Sequence, residues 1–142
     1  MERTFKIIYT SDTHGHIFPV NYAAGCGESS GLLNLAAQID KNGNTLVLDG
    51  GDSLQGTPLV QYYLAHADEF PHHPVAEAFN AMGCDYFTLG NHDFNFGYDA
   101  LRAYLCAMDG VCLCANVQDL GGALPLLCLL YTSPSPRDTE RS

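Results

Sequence analysis

TLGNHDFNFG, residues 88–97, is the stretch on which the fold turns. It sets an amide, an imidazole and a carboxylate (Asn91, His92 and Asp93) in a row between two glycines, directly after the apolar run Tyr86-Phe87-Thr88-Leu89. A short aromatic and β-branched run that stops at glycine reads as a strand delivering a loop. The helical period then takes over, with Tyr98, Leu101, Leu105 and Met108 on one face of a helix predicted over Gly97 to Met108. Strand, polar loop and helix together form one unit of a parallel sheet.

The same unit recurs on both sides. Upstream, Phe5-Lys6-Ile7-Ile8-Tyr9 predicts a buried strand that ends in the polar cluster Ser11-Asp12-Thr13-His14-Gly15. A helix is predicted over Gly31 to Asp40 through Leu32, Leu35, Ala36 and Ile39, with Ser29 or Ser30 as N-cap. Thr45-Leu46-Val47-Leu48 is a second strand, and it runs into the glycine-rich loop LDGGDSLQG, residues 48–56. Helices are predicted over Pro58 to His66 and Pro74 to Met82, each with proline in its first turn. Downstream, GVCLCANV (110–117) is a fourth strand with Asn116 at its end and no strand predicted beyond it to cover its edge. The order predicts an α/β domain with a parallel core. In such sheets ligand-binding groups collect at the carboxyl ends of the strands. Those ends here carry Asp12 and His14, Asp49 and Asp52, Asn91 to Asp93, and Asn116.

A chain of 142 residues with 46% hydrophobic residues is long and apolar enough for one domain with a core. The net charge of -10, with the acidic residues scattered, argues against a nucleic-acid polymer or an anionic membrane as partner. No run of about 18 apolar residues could span a membrane. MERTFKIIYTSD enters a strand without the pattern of a secretory signal, so the sequence as written predicts a cytoplasmic location. Six cysteines form no CxxC pair, and Cys112 and Cys114 read as packing residues. His66, His72 and His73 read as surface residues, and His16 as an exposed loop residue rather than the edge of a site. From Cys128, CLLYTSPSPRD resembles a translated sequencing adapter, so residues 128–142 are expected to be a non-native, disordered tail on a domain of residues 1–127.

The polar clusters suit a divalent metal. Asp12 and His14, alternating on an extended segment, would point the same way and offer oxygen and nitrogen, a donor pair for zinc, manganese or iron; SDTHG is equally a good turn. Gly50 and Gly51 let backbone approach a ligand beside Asp49 and Asp52, and a carboxylate can bridge two ions about 3.5–4 Å apart; Asp49 is as well placed to cap the loop. Asn91 offers a metal an amide oxygen while its NH₂ faces a substrate, and His92 is able to act as an acid near neutral pH. Bound cations would also reconcile so acidic a chain with an anionic substrate.

SDTHG, DGGD (49–52) and LGNHDFNFG (89–97), in that order and about 40 residues apart, resemble the D-x-H, GD and GNH signatures of the calcineurin-like metallophosphoesterases. The flanks DGGDSLQGTPL, HPVAEAFNAMGCDYFTLGNHDFNFG and CANV are similar to its bacterial 5′-nucleotidase and 2′,3′-cyclic-nucleotide phosphodiesterase branch, over most of residues 5–119. The resemblance implies an αββα sandwich of which the N-terminal half is present. It implies two divalent ions, of Mn, Zn, Co or Fe, with Asp12 and His14 on one, Asp52 bridging and Asn91 on the second. His92 becomes catalytic, Asn91 and His92 face a nucleotide substrate, and Asp93, Asp49 and Asn116 support them. Family members with a His-Asp pair carry the carboxylate three residues after the histidine. Asn95 stands there, able to bond the imidazole but without charge, and this variant looks more like the cyclic-nucleotide branch. No histidine follows His92, so the later histidines and the nucleoside-binding C-terminal domain of the family are missing, and this chain is expected to be an inactive fragment of an enzyme. A non-catalytic phosphate- or metal-binding module of the same fold is the alternative.

Overall fold

Thr45-Leu46-Val47-Leu48 becomes the strand on which the sheet is registered. The computed structural model describes residues 4–21 and 23–127, and the expectations for 128–142 lie outside them. In chain order the strands are β1 (Lys6–Thr10), β2 (Val20–Asn21), β3 (Cys26–Gly27), β4 (Thr45–Asp49), β5 (Tyr86–Phe87), β6 (Val111–Leu113) and β7 (Leu126–Leu127). The helices are α1 (Leu32–Ala36), α2 (Pro58–Ala65), α3 (Pro74–Met82) and α4 (Tyr98–Ala107). Five strands form one parallel sheet in the order β1-β4-β5-β6-β7, and β2 and β3 make a small antiparallel pair. Parallel pairing aligns the polar ends: Thr10 lies beside Asp49, and Asp49 beside Phe87 just before the GNHD turn.

Two expectations about the sheet are corrected. The fourth predicted strand, β6, is no edge, because β7 pairs with it. Among the described residues β1 and β7 are the edges instead, and β1 is not buried: Ile7 and Tyr9 are 60% and 65% exposed. The cause is one-sided packing. Val47, Phe87 and Cys112 point to the face where Val60, Val75, Phe79, Met82, Leu101, Tyr104 and Leu105 of the helices close the core. Tyr9, Tyr86 and Val111, in register through Leu48 on the opposite face, stay largely exposed.

The helices show how local chemistry sets boundaries. α3 begins at Pro74, takes an N-cap hydrogen bond from Ala76 N–H on His73 Nδ1, and stops at Gly83 with φ 67°, the left-handed cap that glycine adopts without strain. His73, expected at the surface, is 4% exposed, because the cap turns its ring inward between Tyr63 and Tyr104. α1 is shorter than predicted and uses neither Ser29 nor Ser30. The amides of Leu32 and Leu33 are bonded instead by the carbonyls of His16 and Ile17, and Gly31, φ 86°, packs too closely against the carbonyls of Ile17 and Phe18 for any Cβ. Cys112 and Cys114 are buried as expected, and the described cysteines are free thiols. Among the described residues no helix is long and apolar enough to cross a membrane.

Candidate metal centre

Three loops meet beyond the carboxyl ends of β1, β4 and β5. Asp12 (φ 53°), His14 (φ 49°) and Asp52 (φ 58°) are the non-glycine residues with positive φ among those described. Asp12 and His14 therefore do not alternate on an extended segment, as the spacing predicts; they sit in a loop coiled by left-handed turns. The loop is held by two backbone bonds, Asp12 N–H to Gly51 O at 3.0 Å and His14 N–H to Asp52 O at 2.9 Å. One donor atom from each of Asp12, His14 and Asp52 lies within 4.8 Å of the others. Left-handed backbone at a non-glycine residue costs about 1–3 kcal/mol, and it persists where surrounding bonds over-determine it.

Much of that over-determination comes from Asp93. Its carboxylate is 1% exposed and accepts four backbone N–H bonds. Oδ2 takes those of Asp52 (2.8 Å) and Gly90 (2.9 Å), and Oδ1 those of Ser53 (2.8 Å) and Leu54 (2.9 Å). One side chain thus ties the DGGD loop to the GNHD turn. Asp52 returns the tie through Oδ1, which accepts His92 N–H at 2.8 Å. Bare backbone permits the contact: a Cβ on Gly90 would lie 2.1 Å from Asp52 Oδ1, and one on Gly51 2.3 Å from Gly90 N.

Asp49 is a loop cap. It is 4% exposed and accepts from Thr10 Oγ1 at 2.6 Å, Gly51 N at 3.0 Å and Ser53 Oγ at 3.0 Å. Burial raises its pKa, and those three hydrogen bonds oppose the rise. Asn91 opens the 3₁₀ turn Asn91–Phe94, exposed. Asn116 is exposed beyond β6 and makes no side-chain hydrogen bond among the described residues, so nothing draws it to the centre. His16 is half-buried rather than exposed. Its Nε2 is 3.3 Å from Ser30 Oγ, and it lines a cleft of about 580 Å³ shared with Asp12, His14, Glu28 and Asn34.

The two histidines of the centre meet edge to face, ring centres 5.4 Å apart, and both lean on a residue the sequence reading passed over. His14 Nδ1 is 2.6 Å from the backbone carbonyl of Gln55, and His92 Nδ1 is 2.8 Å from Gln55 Oε1. Asn95 Nδ2 donates to the same Oε1 and lies 3.1 Å from His92 Nδ1. The available signal was position: Gln55 stands three residues after Asp52 inside the loop already singled out. The donors fit a divalent ion. Two carboxylates and an imidazole suit manganese, iron or zinc, and His14 has its Nδ1 engaged by a carbonyl, the usual arrangement behind a metal-binding Nε2.

The sequence profile of the family described as calcineurin-like phosphoesterase matches residues 5–133. The chain belongs to that family. Curated relatives include the trifunctional nucleotide phosphoesterase protein YfkN of Bacillus subtilis strain 168, 33% identical over 82% of this chain and 9% of its own length. The 2′,3′-cyclic-nucleotide 2′-phosphodiesterase/3′-nucleotidase of Yersinia enterocolitica is 32% identical over 85% of this chain and 20% of its own. The probable 5′-nucleotidase of Treponema pallidum strain Nichols is 34% identical over 78% and 19%. The crystal structure of the calcineurin-like phosphoesterase YfkN from B. subtilis matches with a TM-score of 0.72 over 83% of this chain and 38% of that one. The chain thus spans a fifth or less of the length of these curated relatives.

Proposed function

We propose that this phosphoesterase chain carries the N-terminal part, residues 1–127, of a catalytic domain that hydrolyses phosphoric esters of nucleotides, as a 5′-nucleotidase, a 2′,3′-cyclic-nucleotide phosphodiesterase or both. The observation that carries the reading is the convergence of Asp12, His14 and Asp52 within 4.8 Å, beside a second histidine. Bound divalent ions would supply the charge that draws a phosphate ester to an acidic protein and the activation of a water. Asp12, His14 and Asp52, with Asn91 on the neighbouring turn, would hold those ions. His92 stabilises the phosphoryl oxygens or gives the leaving oxygen its proton. Asn95, in place of a carboxylate, favours the cyclic-nucleotide substrate.

The remaining donors and the nucleoside-binding surface belong to a longer polypeptide. The exposed apolar face of the sheet and the span of the relatives support this, and the 142-residue chain alone has little or no activity. The test uses the longer natural protein with manganese, cobalt or zinc. Phosphate is released from nucleoside monophosphates or from cyclic nucleotides, and His92→Ala lowers the rate by roughly 10² or more while metal content is kept. Absence of release from both substrate classes refutes the reading; release unaffected by His92→Ala refutes the role of His92.

A further inference from the structure

We propose that Gln55 is a positioning residue for both site histidines, fixing the tautomer of His14 with its backbone carbonyl and that of His92 with its side-chain amide. The inference deepens the reading above and rests on it for the roles of the two rings. The geometry of Gln55 itself does not depend on that reading.

A carbonyl oxygen only accepts. At 2.6 Å from Gln55 O, His14 Nδ1 must carry the proton, which leaves the Nε2 lone pair for an ion. Gly56, φ 151°, makes the approach possible, since a Cβ there would stand 2.6 Å from His14 Cβ and 2.7 Å from His14 O. At His92 the acceptor is Gln55 Oε1, 2.8 Å from Nδ1. A bare Nδ1 would set lone pair against lone pair at that distance, so this nitrogen too carries the proton. In this orientation of the amide Asn95 Nδ2 donates to the same oxygen, and its 3.1 Å approach to His92 Nδ1 is then no hydrogen bond, because both nitrogens are donors. Turning both amides over would instead bring the Gln55 NH₂ to 2.8 Å from Nδ1 and require a bare Nδ1, so the tautomer of His92 in the wild type distinguishes the two orientations. With the proton on Nδ1, Nε2 of His92 is the nitrogen turned away from Gln55, and the acid role proposed above needs the ring protonated there as well, as the imidazolium. Asn95, which sits where a carboxylate would orient the ring, acts on His92 through Gln55.

This arrangement differs from a carboxylate behind a histidine. A neutral amide holds the ring and its tautomer without adding charge to a centre already rich in acid. One residue also spans both histidines, so a shift of residues 55–56 moves the ligand and the catalytic ring together.

The two halves of the proposal separate by mutation, because a side-chain change leaves the carbonyl in place. The probe is the ¹⁵N shift pattern of the imidazoles in this chain without metal, at a pH where both rings are neutral. In the wild type both histidines are expected as Nδ1–H tautomers. In Gln55→Leu, His14 stays so, while His92 shifts toward the Nε2–H form that a free imidazole prefers; Gln55→Glu keeps both as Nδ1–H. Outer partners of this kind change activity by about 10–100-fold. In the longer natural protein, Gln55→Leu therefore lowers kcat by roughly tenfold or more with KM and metal content little changed, and Gln55→Glu recovers most of it.

A wild-type His92 protonated on Nε2, or a His92 that remains Nδ1–H in Gln55→Leu, overturns the proposal. If Gln55→Leu loses the His14 signature as well, the loop has been disturbed, and Gln55→Ala is read with the same two outcomes. A wild-type natural protein that releases no phosphate while its histidines give the expected tautomers sinks the functional reading and leaves the positioning role standing.

Discussion

Asp93→Asn changes one atom and tests how the centre is assembled. In the wild type each carboxylate oxygen accepts two backbone amides, Asp52 and Gly90 on one, Ser53 and Leu54 on the other. An asparagine side chain keeps one oxygen and replaces the other with NH₂. Whichever way it turns, two backbone donors then face a donor. A hydrogen bond to a charged group is worth about 1.5–3 kcal/mol, so two lost bonds cost about 3–6 kcal/mol before any repulsion is counted. The side chain is 1% exposed, so water cannot readily replace the lost acceptor. Against a whole-domain stability of about 5–15 kcal/mol this is a large share. Urea unfolding followed by circular dichroism, at an m-value of about 1–3 kcal/mol/M, should show the midpoint falling by about 2 M, or no cooperative transition at all. Because the amides that lose their acceptor flank Asp52 and His92, manganese binding should weaken in the variant that remains folded. A midpoint shift worth less than about 1 kcal/mol would refute the reasoning and mean that the two loops hold each other without the Asp93 carboxylate.

Stability should also fall in mild acid through His73. Burial lowers its pKa to about 4 from the ordinary 6.5, and its Nε2 has no hydrogen-bond partner among the described residues. Between those two values the unfolded chain binds a proton that the folded chain does not, so stability is lost as pH falls from about 6.5 to about 4. At about 1.4 kcal/mol per pH unit the loss reaches ~3 kcal/mol. His73→Asn, which keeps an acceptor for Ala76 N–H, should flatten that part of the stability–pH curve, and an unchanged slope would exclude His73 as its source. Gly90→Ala drives a methyl to 2.1 Å from Asp52 Oδ1 and should reduce manganese affinity at least tenfold by calorimetry. Gly43→Ala, with nothing within 4 Å of the added carbon, should leave it unchanged. Manganese at about 100 times its dissociation constant should stabilise the wild type by about 2.7 kcal/mol, measured as a rise in melting temperature, and His14→Ala should abolish the rise.

The order of strands and helices was legible because each element has a local cause. Pro74 and Gly83 delimit α3 within a residue of what the sequence predicts, and Thr45 to Asp49 reads as a strand from four apolar or β-branched residues running into glycine. What escaped was set by partners distant in sequence. Nothing near Ser29 and Ser30 indicates that the carbonyls of His16 and Ile17 will cap α1 in their place. Apolar content alone could not show that β1 is an edge strand with one face uncovered. His73 reads as a surface histidine until Tyr63 and Tyr104, from two other helices, close over it.

The centre divides along the same line. Identities of the ligand candidates could be read from D-x-H, GGD and GNH, because side-chain chemistry is local. Their geometry could not, and the reason is the backbone. An alternating pair on a strand would present Asp12 and His14 with no conformational cost; the folded chain instead holds Asp12, His14 and Asp52 at φ 49° to 58°. Such a conformation needs external support, and the support comes from Gly51 and Asp52 carbonyls, from Asp93 across 41 residues, and from bare glycine at 51 and 90. The glycines of these motifs are therefore as much a part of the metal site as its carboxylates. A search that scored only ligand types would accept a sequence with alanine at position 90, and that chain could not bring Asp52 and His92 together.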